Sequence, residues 1–328
     1  MKISIISPIV NGDKELREFL SEMQNQNYQD FEIILVFNSI NKKIYSTLNN
    51  YLDFFGSRLK FIVNSNKQTL QDNIIAAWKI MSGEYFNILF SNNNIRFYFL
   101  NSMKNLINDF HTDVIEFKPR LVGSIRWKPK ARLECDKTYN IKDEPDFLAY
   151  SYPFISNKLF KKELVESLLK YKPSFTNDYN FAVELNYLLL MNAKTYSYND
   201  RRIIREYINY DSWMNPKNFI SQFKRIIEIS KTKEMKITQE LEYARIYFFQ
   251  IILAGILGLA SFINKDEYKE KRSYRLVEEL EVLINKEIEK NQKFYNTNMY
   301  MCKDRDEIKY LRELKPTKKW NELLSSLE

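Results

Sequence analysis

The feature that most constrains the fold is a repeated alternation of short apolar segments with amphipathic helical ones. Strand-like segments rich in β-branched and aromatic residues occupy residues 3–7, 31–36, 59–63, 85–90 and 114–117, and helical spacing of apolar residues occupies residues 16–23, 44–52, 69–81 and 98–110. Strands that alternate with helices require crossover connections and form a mostly parallel sheet. The sequence therefore predicts an α/β fold whose twisted sheet is flanked by helices.

The predicted sheet directs attention to the loops that follow its strands. In parallel sheets, ligands bind in the crevice outside the carboxyl ends of the strands. Three loops, at residues 8–12, 37–39 and 90–94, follow predicted strands and should converge on one crevice. The alternative is an α/β scaffold whose crevice binds nothing, and the pattern alone leaves it open.

Composition limits the class of protein further. The chain has 328 residues, 45% of them hydrophobic and 28% charged, as is typical of a folded globular protein. Its two cysteines, Cys135 and Cys302, are far apart and form no metal-binding or disulfide pattern, so a reducing cytoplasm is the simplest compartment. No charged segment followed by an apolar one opens the chain, and no signal peptide is expected. The net charge of +8 favours anionic partners without choosing among phospholipid, nucleotide and nucleic acid.

The character of the sequence becomes helical after about residue 212. Apolar residues recur at helical spacing from Phe219 to Ile227 and again over residues 276–288. Between them, residues 246–263 form an apolar run close to the ~20 residues that a membrane-spanning helix needs. A buried core helix is the first interpretation, a membrane-dipping helix the second and a full span the third. Basic residues on the flanking helices would suit an anionic membrane surface.

Several segments, in their order and spacing, resemble family 2 glycosyltransferases. Residues 3–12 are similar to the family's opening strand and its Pro-Val-Tyr-Asn turn, and residues 26–36 to its Asn-Gln-Thr-Tyr-Lys-Asp-Phe-Glu-Ile stretch. Residues 71–85 fit the helix and the Gly-Glu-Tyr step before the fourth strand, and residues 156–164 resemble the segment that precedes the acceptor site. The resemblance implies a GT-A fold over residues 1–212, with a nucleotide-binding half at 1–119 and an acceptor half at 120–212. Residues 213–328 would then form a helical C-terminal domain.

The resemblance also implies a set of positions for a nucleotide-sugar donor. These positions are Pro8, Asn11, Phe37, Asn38, Asn73, Ser91, Asn92 and Arg205. The family usually has aspartates at two pairs of positions, here Phe37 with Asn38 and Phe90 with Asn92, and the second pair holds Mg²⁺ or Mn²⁺. Asparagine offers these ions an oxygen without charge, and phenylalanine offers no ligand at all. We therefore predict no tight divalent-cation site, and hence no certain cofactor.

The acceptor half carries one candidate catalytic residue. Residues 175–181 resemble the family's Glu-Asp pair followed by an aromatic residue and a helix, and in this match Asp178 falls on the general base. An inverting transfer needs such a base to take the proton of the acceptor hydroxyl. Alternatively, Asp178 could cap the N-terminus of a helix predicted over residues 179–190. Arg205, before a loop, could likewise be an ordinary exposed arginine.

Three functions follow from these observations. The first is transfer of a sugar from a nucleotide donor to a lipid or glycan acceptor at the cytoplasmic face of the membrane. The second is a catalytically impaired relative that binds a partner enzyme or a glycan, and the third is a scaffold on the membrane surface. Nucleic-acid binding is not expected, because the basic and aromatic stretch at residues 120–132 accompanies no recognised nucleic-acid motif. A solvated loop is the first interpretation of that stretch, and a lid over the crevice or a contact to an acceptor phosphate is the second.

Overall fold

A computed structural model describes residues 3–175, 181–208, 214–263, 267–290, 292–313 and 315–328. The strands are β1 (Ile3–Ser7), β2 (Phe31–Phe37), β3 (Leu59–Val63), β4 (Tyr85–Ile88), β5 (Val114–Phe117), β6 (Leu121–Gly123), β7 (Thr138–Asn140), β8 (Lys158–Lys161), β9 (Thr195–Asn199) and β10 (Glu206–Ile208). The helices are α1 (Asp13–Gln24), α2 (Lys42–Phe55), α3 (Leu70–Trp78), α4 (Phe99–Phe110), α5 (Asp146–Tyr150), α6 (Val183–Asn192), α7 (Pro216–Thr232), α8 (Thr238–Tyr247), α9 (Ala254–Ile263), α10 (Glu267–Lys290), α11 (Gln292–Thr297) and α12 (Asp306–Arg312). Short 3-10 turns at Gly56–Arg58, Lys162–Leu168, Thr317–Glu322 and Ser325–Leu327, and a π-helical segment at Phe248–Leu253, are the remaining described elements.

The main sheet has the strand order β3-β2-β1-β4-β8-β5-β9-β7. Strands β1 to β4 are parallel to their neighbours within this group, with Ile3 opposite Phe31 on one side and Tyr85 on the other. Strand β8 is antiparallel to both β4 and β5, and β10 pairs with β6 in a separate two-stranded sheet. The carboxyl ends of β1, β2 and β4 therefore meet at one edge, and the predicted α/β class is confirmed.

Most predicted elements agree with the structure within two or three residues, because their apolar patterns are local. Strands β1, β3 and β5 have the predicted bounds. Strand β4 ends two residues earlier than predicted, because the chain turns there and the Asn93 amide donates to the Phe90 carbonyl at 2.9 Å. Helix α6 begins at Val183 rather than residue 179.

The two faces of the sheet are covered by different elements. Helices α1, α2 and α4 pack their buried residues on one face, as Leu16, Leu48 and Met103 show. The other face carries α3, α6 and the helices that follow Met214, in a core that extends from Ile6 to Leu327. The C-terminal helical region is thus confirmed as helical, and it shares a hydrophobic core with the sheet. The boundary at residues 212 and 213 stays a prediction.

The apolar run lies within one continuous helical stretch, Thr238–Ile263, in which a π-helical segment, Phe248–Leu253, joins α8 to α9. By length and composition this stretch could cross a membrane, but 78% of its most apolar window is buried inside the protein. A β-carbon at Gly255 would lie 2.6 Å from Leu324, and one at Gly258 would lie 2.6 Å from Trp320. Both glycines therefore lie against the C-terminal end of the chain. Burial in the core is the interpretation that the structure supports, and contact with a membrane stays a prediction.

A solvated loop was expected at residues 120–132, but part of this basic stretch is buried. The indole of Trp127 is buried, and the guanidinium of Arg132 lies 3.4 Å from the ring centre of Tyr247. Arg132 also pairs with Glu307 at 3.5 Å, and this carboxylate receives a second pair from Arg305 at 3.1 Å. Burial raises the pKa of Glu307, but the two guanidinium groups more than offset it and hold the pKa below its usual value. These contacts join residues 120–132 to the C-terminal region.

The close approach at Gly258 generates a stability prediction. Gly258→Ala should destabilise the protein by about 1–3 kcal/mol, because the new methyl group overlaps the Trp320 backbone and outweighs the better helix propensity of alanine. Gly12→Ala is the matched control, since nothing lies within 4 Å of a β-carbon there. Urea unfolding of both variants measures the difference. Equal free energies of unfolding for Gly258→Ala and the unmodified protein would contradict the packing described.

Candidate functional site

A chain of amide side chains links the carboxyl ends of β1, β2 and β3. The Asn64 amide nitrogen lies 3.0 Å from Asn38 Oδ1 and 2.8 Å from Asn73 Oδ1. The Asn73 amide nitrogen in turn donates to the Pro8 carbonyl at 2.9 Å. Three predicted donor positions, Pro8, Asn38 and Asn73, are therefore joined in one network. The sequence analysis did not identify Asn64 as a site residue. Asn64 follows β3 directly, just as Asn38 follows β2, and this position was the available signal.

Two positions that depart from the family pattern have structural roles. The side chain of Phe37 is fully buried in the core below the crevice. Its backbone carbonyl accepts a hydrogen bond from the backbone N–H of Asn64 at 2.9 Å. Its side chain therefore does not face a ligand. Asp72 accepts from the Thr69 hydroxyl at 2.6 Å while its own amide donates to that hydroxyl at 3.2 Å. This reciprocal arrangement starts α3, so the Asp72 carboxylate is engaged in helix capping.

In the loop after β4, the side chain of Phe90 points into the core. Phe90 is 3% exposed and packs in the core, while Asn92 is half-buried at the edge of the crevice. Asn93 is 4% exposed; its Oδ1 accepts from the Tyr207 amide at 3.0 Å and its Nδ2 has no hydrogen-bond partner in the described chain. The backbones of Asn94 and Arg205 exchange two hydrogen bonds at 3.2 and 3.3 Å. Strand β10 is thus docked on the loop that the sequence identified.

Four of the predicted donor positions line one open cleft of about 720 Å³. They are Asn11, Ser91, Asn92 and Arg205, and the cleft also receives Val122, Tyr207 and side chains of α1. Two loops and a late arginine that are distant along the chain thus lie in one cleft, and their role in binding a donor stays a prediction. Arg205 is half-buried and belongs to a β-bridge, so it is not an ordinary exposed loop residue.

Glu15 is a cleft residue that the sequence did not single out. The Ser91 hydroxyl donates to its carboxylate, and the Asn11 amide nitrogen lies 3.4 Å from it. Asn11 lies just before α1, and Glu15 is an acidic residue in the first turn of this helix. Its place directly after the loop at residues 8–12 was the available signal.

The positions that would hold the divalent cation implied by the family resemblance carry no carboxylate, although one wall of the cleft is acidic. The α1 wall carries the carboxylates of Asp13, Glu15, Glu18 and Glu22, and Asp13 is paired with Arg17 at 2.6 Å. Within the described ranges, no three His, Cys, Asp or Glu side chains are grouped closely enough to hold a metal ion. Phe90, at a metal-ligating position of the family, is an apolar core residue. The residues present therefore do not fit a Mg²⁺ or Mn²⁺ site.

The candidate base, Asp178, lies outside the described residues, in the segment 176–180. The N-cap of α6 is Ala182, which has a left-handed backbone with φ of 45°, and the helix starts at Val183. The helix therefore begins later than its apolar pattern indicated, and Asp178 does not occupy its N-cap position. The role of Asp178 stays a prediction.

A buried carboxyl, Glu206, lies next to Arg205 along the chain. Glu206 follows Arg205 in β10, and its Oε1 has no hydrogen-bond partner among the described residues. Burial raises the pKa of Glu206 to about 7, although the nearby Lys158 ammonium opposes this. Lys158 itself is fully buried and lies 3.4 Å from Glu116. A carboxyl that titrates near neutral pH thus sits beside the cleft arginine.

The raised pKa of Glu206 makes stability depend on pH. Because the folded state binds the proton more tightly than the unfolded chain, this group costs stability as the pH rises from 4.5 towards about 7. The full cost is about 3 kcal/mol above that range. Glu206→Gln should match the unmodified protein at pH 5 and exceed its free energy of unfolding at pH 8. Urea unfolding with the exposed Glu166→Gln as control tests this, and parallel pH profiles for all three proteins would refute it.

The chain resembles known proteins in both sequence and fold. The model of glycosyl transferase family 2 matches residues 4–115. A search of curated proteins finds no match. Among solved structures, residues 1–349 of S. aureus TarS align with a TM-score of 0.63 at 15% identity, covering 99% of this chain and 90% of that one. The same protein in complex with UDP-GlcNAc gives 0.63 at 16% identity, with the same coverage.

A second solved structure has a comparable architecture. The mannosyltransferase PcManGT from Pyrobaculum calidifontis, in complex with GDP-Man and Mn²⁺, aligns with a TM-score of 0.50 at 11% identity, covering 99% of this chain and 84% of that one. At these identities the likeness establishes the fold. Together with the match over residues 4–115, it confirms the resemblance of this chain to the family 2 glycosyltransferases with a GT-A fold.

Proposed function

We propose that the protein transfers a sugar from a nucleotide-sugar donor to a hydroxyl of a lipid or glycan acceptor. The observation that carries the proposal is the convergence of Asn11, Ser91, Asn92 and Arg205 on one cleft at the carboxyl ends of β1 and β4. Two structures of similar fold hold UDP-GlcNAc and GDP-Man, which supports a nucleotide-sugar as the donor class here.

The arrangement of charge suggests how a donor would lie in the cleft. Carboxylates on the α1 wall repel phosphate, so the diphosphate is expected beside Arg205 and the loop at residues 91–94. There the guanidinium and the Asn92 amide would stabilise the charge that develops on the leaving diphosphate. Sugar hydroxyls are good donors to a carboxylate, and Glu15 at the opposite wall is suited to receive them.

The proposed chemistry needs one proton acceptor. The acceptor oxygen attacks the anomeric carbon, the bond from that carbon to the diphosphate oxygen breaks, and the hydroxyl proton passes to Asp178. Attack from the side opposite the leaving group inverts the anomeric configuration. The support for Asp178 is its place in the resemblance, in which it falls on the position of the general base.

We place the reaction in the cytoplasm, with a peripheral contact to the inner face of the membrane. Phe262 at the end of α9 and Tyr268 at the start of α10 are 71% and 73% exposed. Lys269, Lys271 and Arg272 follow on the same helix. Exposed aromatic rings beside basic residues are typical of surfaces that rest on anionic lipid, which supports a lipid-linked acceptor.

A second function is favoured by one specific observation. The positions of the metal-binding carboxylates are occupied by Phe90, which is buried in the core, and by Asn92, a neutral amide. A relative that has lost the usual donor chemistry could keep the cleft for binding a glycan or a partner enzyme. This alternative predicts nucleotide or glycan binding without transfer.

The test is the variant Asp178→Asn in a transfer assay with UDP- and GDP-sugars. Turnover should fall by roughly 10²–10⁴-fold, the range that general-base catalysis supplies, because the amide cannot take the proton. The midpoint of thermal unfolding should stay unchanged, because asparagine keeps the size and much of the capping ability of aspartate. The exposed Asp109→Asn is the matched control. An unchanged rate in Asp178→Asn refutes the assignment of the base, and sugar-nucleotide binding without transfer in the unmodified protein favours the second function.

A further inference from the structure

Helix α1 presents three carboxylates to the cleft on one face. Glu15, Glu18 and Glu22 are three and four residues apart, which places them on the same side of the helix, and all three line the cleft. Glu15 is engaged with the Ser91 hydroxyl. Glu18 is exposed, and its carboxylate lies 3.8 Å from the exposed Lys14 ammonium. This acidic wall, formed by the three glutamates, therefore continues along α1 beyond the residue proposed to receive the donor sugar.

The loop at residues 95–98 lies beside the acidic wall and is fixed to the C-terminal end of α1. The backbone amide of Ile95 donates to the Glu22 carboxylate. The side chain of Gln26, which is 4% exposed, donates to the Arg96 carbonyl at 2.9 Å. These two hydrogen bonds hold the backbone of the loop next to the cleft, so its side chains are presented from a fixed position.

Two aromatic rings of this loop, Phe97 and Tyr98, are exposed and form a ring pair. Phe97 is 62% exposed and Tyr98 is 46% exposed, and their ring centres lie 5.2 Å apart with an angle of 81° between the planes. Because the loop is already fixed, a ligand that packs on the ring pair does not have to order it first. The ring pair is therefore an apolar surface that continues from the polar cleft.

The cleft also contains a buried polar group without a partner. Asn93 lines the cleft and is 4% exposed, and its Nδ2 has no hydrogen-bond partner within the part of the chain that the structure describes. Its Oδ1 accepts from the Tyr207 amide at 3.0 Å, which fixes the orientation of the side chain. An unpaired buried donor costs free energy, so a ligand oxygen that accepts from it is favoured. The cleft thus offers a donor as well as carboxylate acceptors.

We propose that the acidic wall, Asn93 and the ring pair bind an uncharged glycan chain, the acceptor of the proposed reaction. The inference rests on the proposed function for this acceptor role, and it narrows the acceptor from a lipid or glycan to a neutral glycan. Sugar hydroxyls donate strong hydrogen bonds to carboxylates, and the face of an aromatic ring packs against the C–H groups of a sugar ring. The acidic wall repels uronic acids, phosphate-bearing glycans and anionic lipid, so charge decides among the possible occupants.

Titration of the full chain with oligosaccharides tests this surface. The probes are the neutral hexamers of glucose, mannose, galactose and N-acetylglucosamine, and the anionic hexamer of galacturonate. At least one neutral hexamer should bind with a Kd below about 1 mM. The galacturonate hexamer should bind at least about tenfold more weakly than the best neutral one, because its carboxylates meet those of the acidic wall. Binding of no neutral hexamer, or equal binding of galacturonate, would overturn the inference.

A matched pair of variants tests the ring pair. Phe97→Ala should weaken binding of the neutral hexamer by about tenfold, because the sugar ring loses the surface on which it packs. Tyr45→Ala is the control, since Tyr45 is also 62% exposed but lies on α2. It should leave the Kd unchanged within about twofold, and neither variant should shift the midpoint of thermal unfolding. Equal affinities of the two variants would overturn the role of the ring pair.

A second variant tests the role of charge. Glu18→Gln combined with Glu22→Gln keeps an acceptor oxygen at each position and removes two negative charges. At low ionic strength the galacturonate hexamer should bind about three- to tenfold more tightly than it binds the unmodified protein. The Kd of the neutral hexamer should stay within about twofold. An unchanged preference for the neutral hexamer would contradict selection by charge.

The outcomes separate this inference from the proposed function. Neutral-glycan binding that depends on Phe97, without transfer from UDP- or GDP-sugars, would support the glycan site while the proposed function fails. Transfer to a glycan at a rate that Phe97→Ala leaves unchanged would keep the proposed function and overturn this inference. Sedimentation with phosphatidylglycerol vesicles that is lost in Phe97→Ala would assign the ring pair to a membrane surface and overturn it as well.

Discussion

The hydrogen bond from Asn73 to the Pro8 carbonyl is the contact on which the organisation of the crevice depends. Pro8 follows the last residue of β1, where the sheet ladder ends and a buried carbonyl would otherwise lack a partner. Asn73 satisfies it at 2.9 Å and thereby fixes α3 against the edge of the sheet. Because α3 also supplies Gln71 to α6, this one helix contacts both the loop after β1 and the start of α6.

At the ends of β1, β2 and β3 the crevice is lined by neutral amide side chains. Asn38, Asn64 and Asn73 form a hydrogen-bonded series without carboxylates, and Asp72 is used to begin α3. Phe90 is packed in the core, so an aspartate placed there would be a buried charge that needs a partner. The change from the family pattern is therefore more than a missing ligand, because the loop after β4 has been repacked around an apolar side chain.

The sequence predicted the elements whose signals are local. Alternating apolar segments located β1 to β5, and the family resemblance brought Asn11, Ser91 and Arg205 to one place. The sequence did not predict features that depend on tertiary contacts. The start of α6 is fixed by Gln71 and Gln222, whose sequence positions give no hint of that role, and so the helix begins later than its apolar pattern indicated. Burial of Arg132 in a group of tyrosines was hidden for the same reason.

The central claim is that the cleft holds a nucleoside diphosphate by Arg205 and neutral amides rather than through a divalent cation. Calorimetric titration of the protein with UDP, with and without Mn²⁺, tests it most directly. We expect the two Kd values to agree within about threefold, and Arg205→Met to weaken binding by about tenfold or more through loss of a charge-assisted hydrogen bond. The exposed Arg202→Met is the control. Binding that requires Mn²⁺ and is unaffected by Arg205→Met would contradict the account.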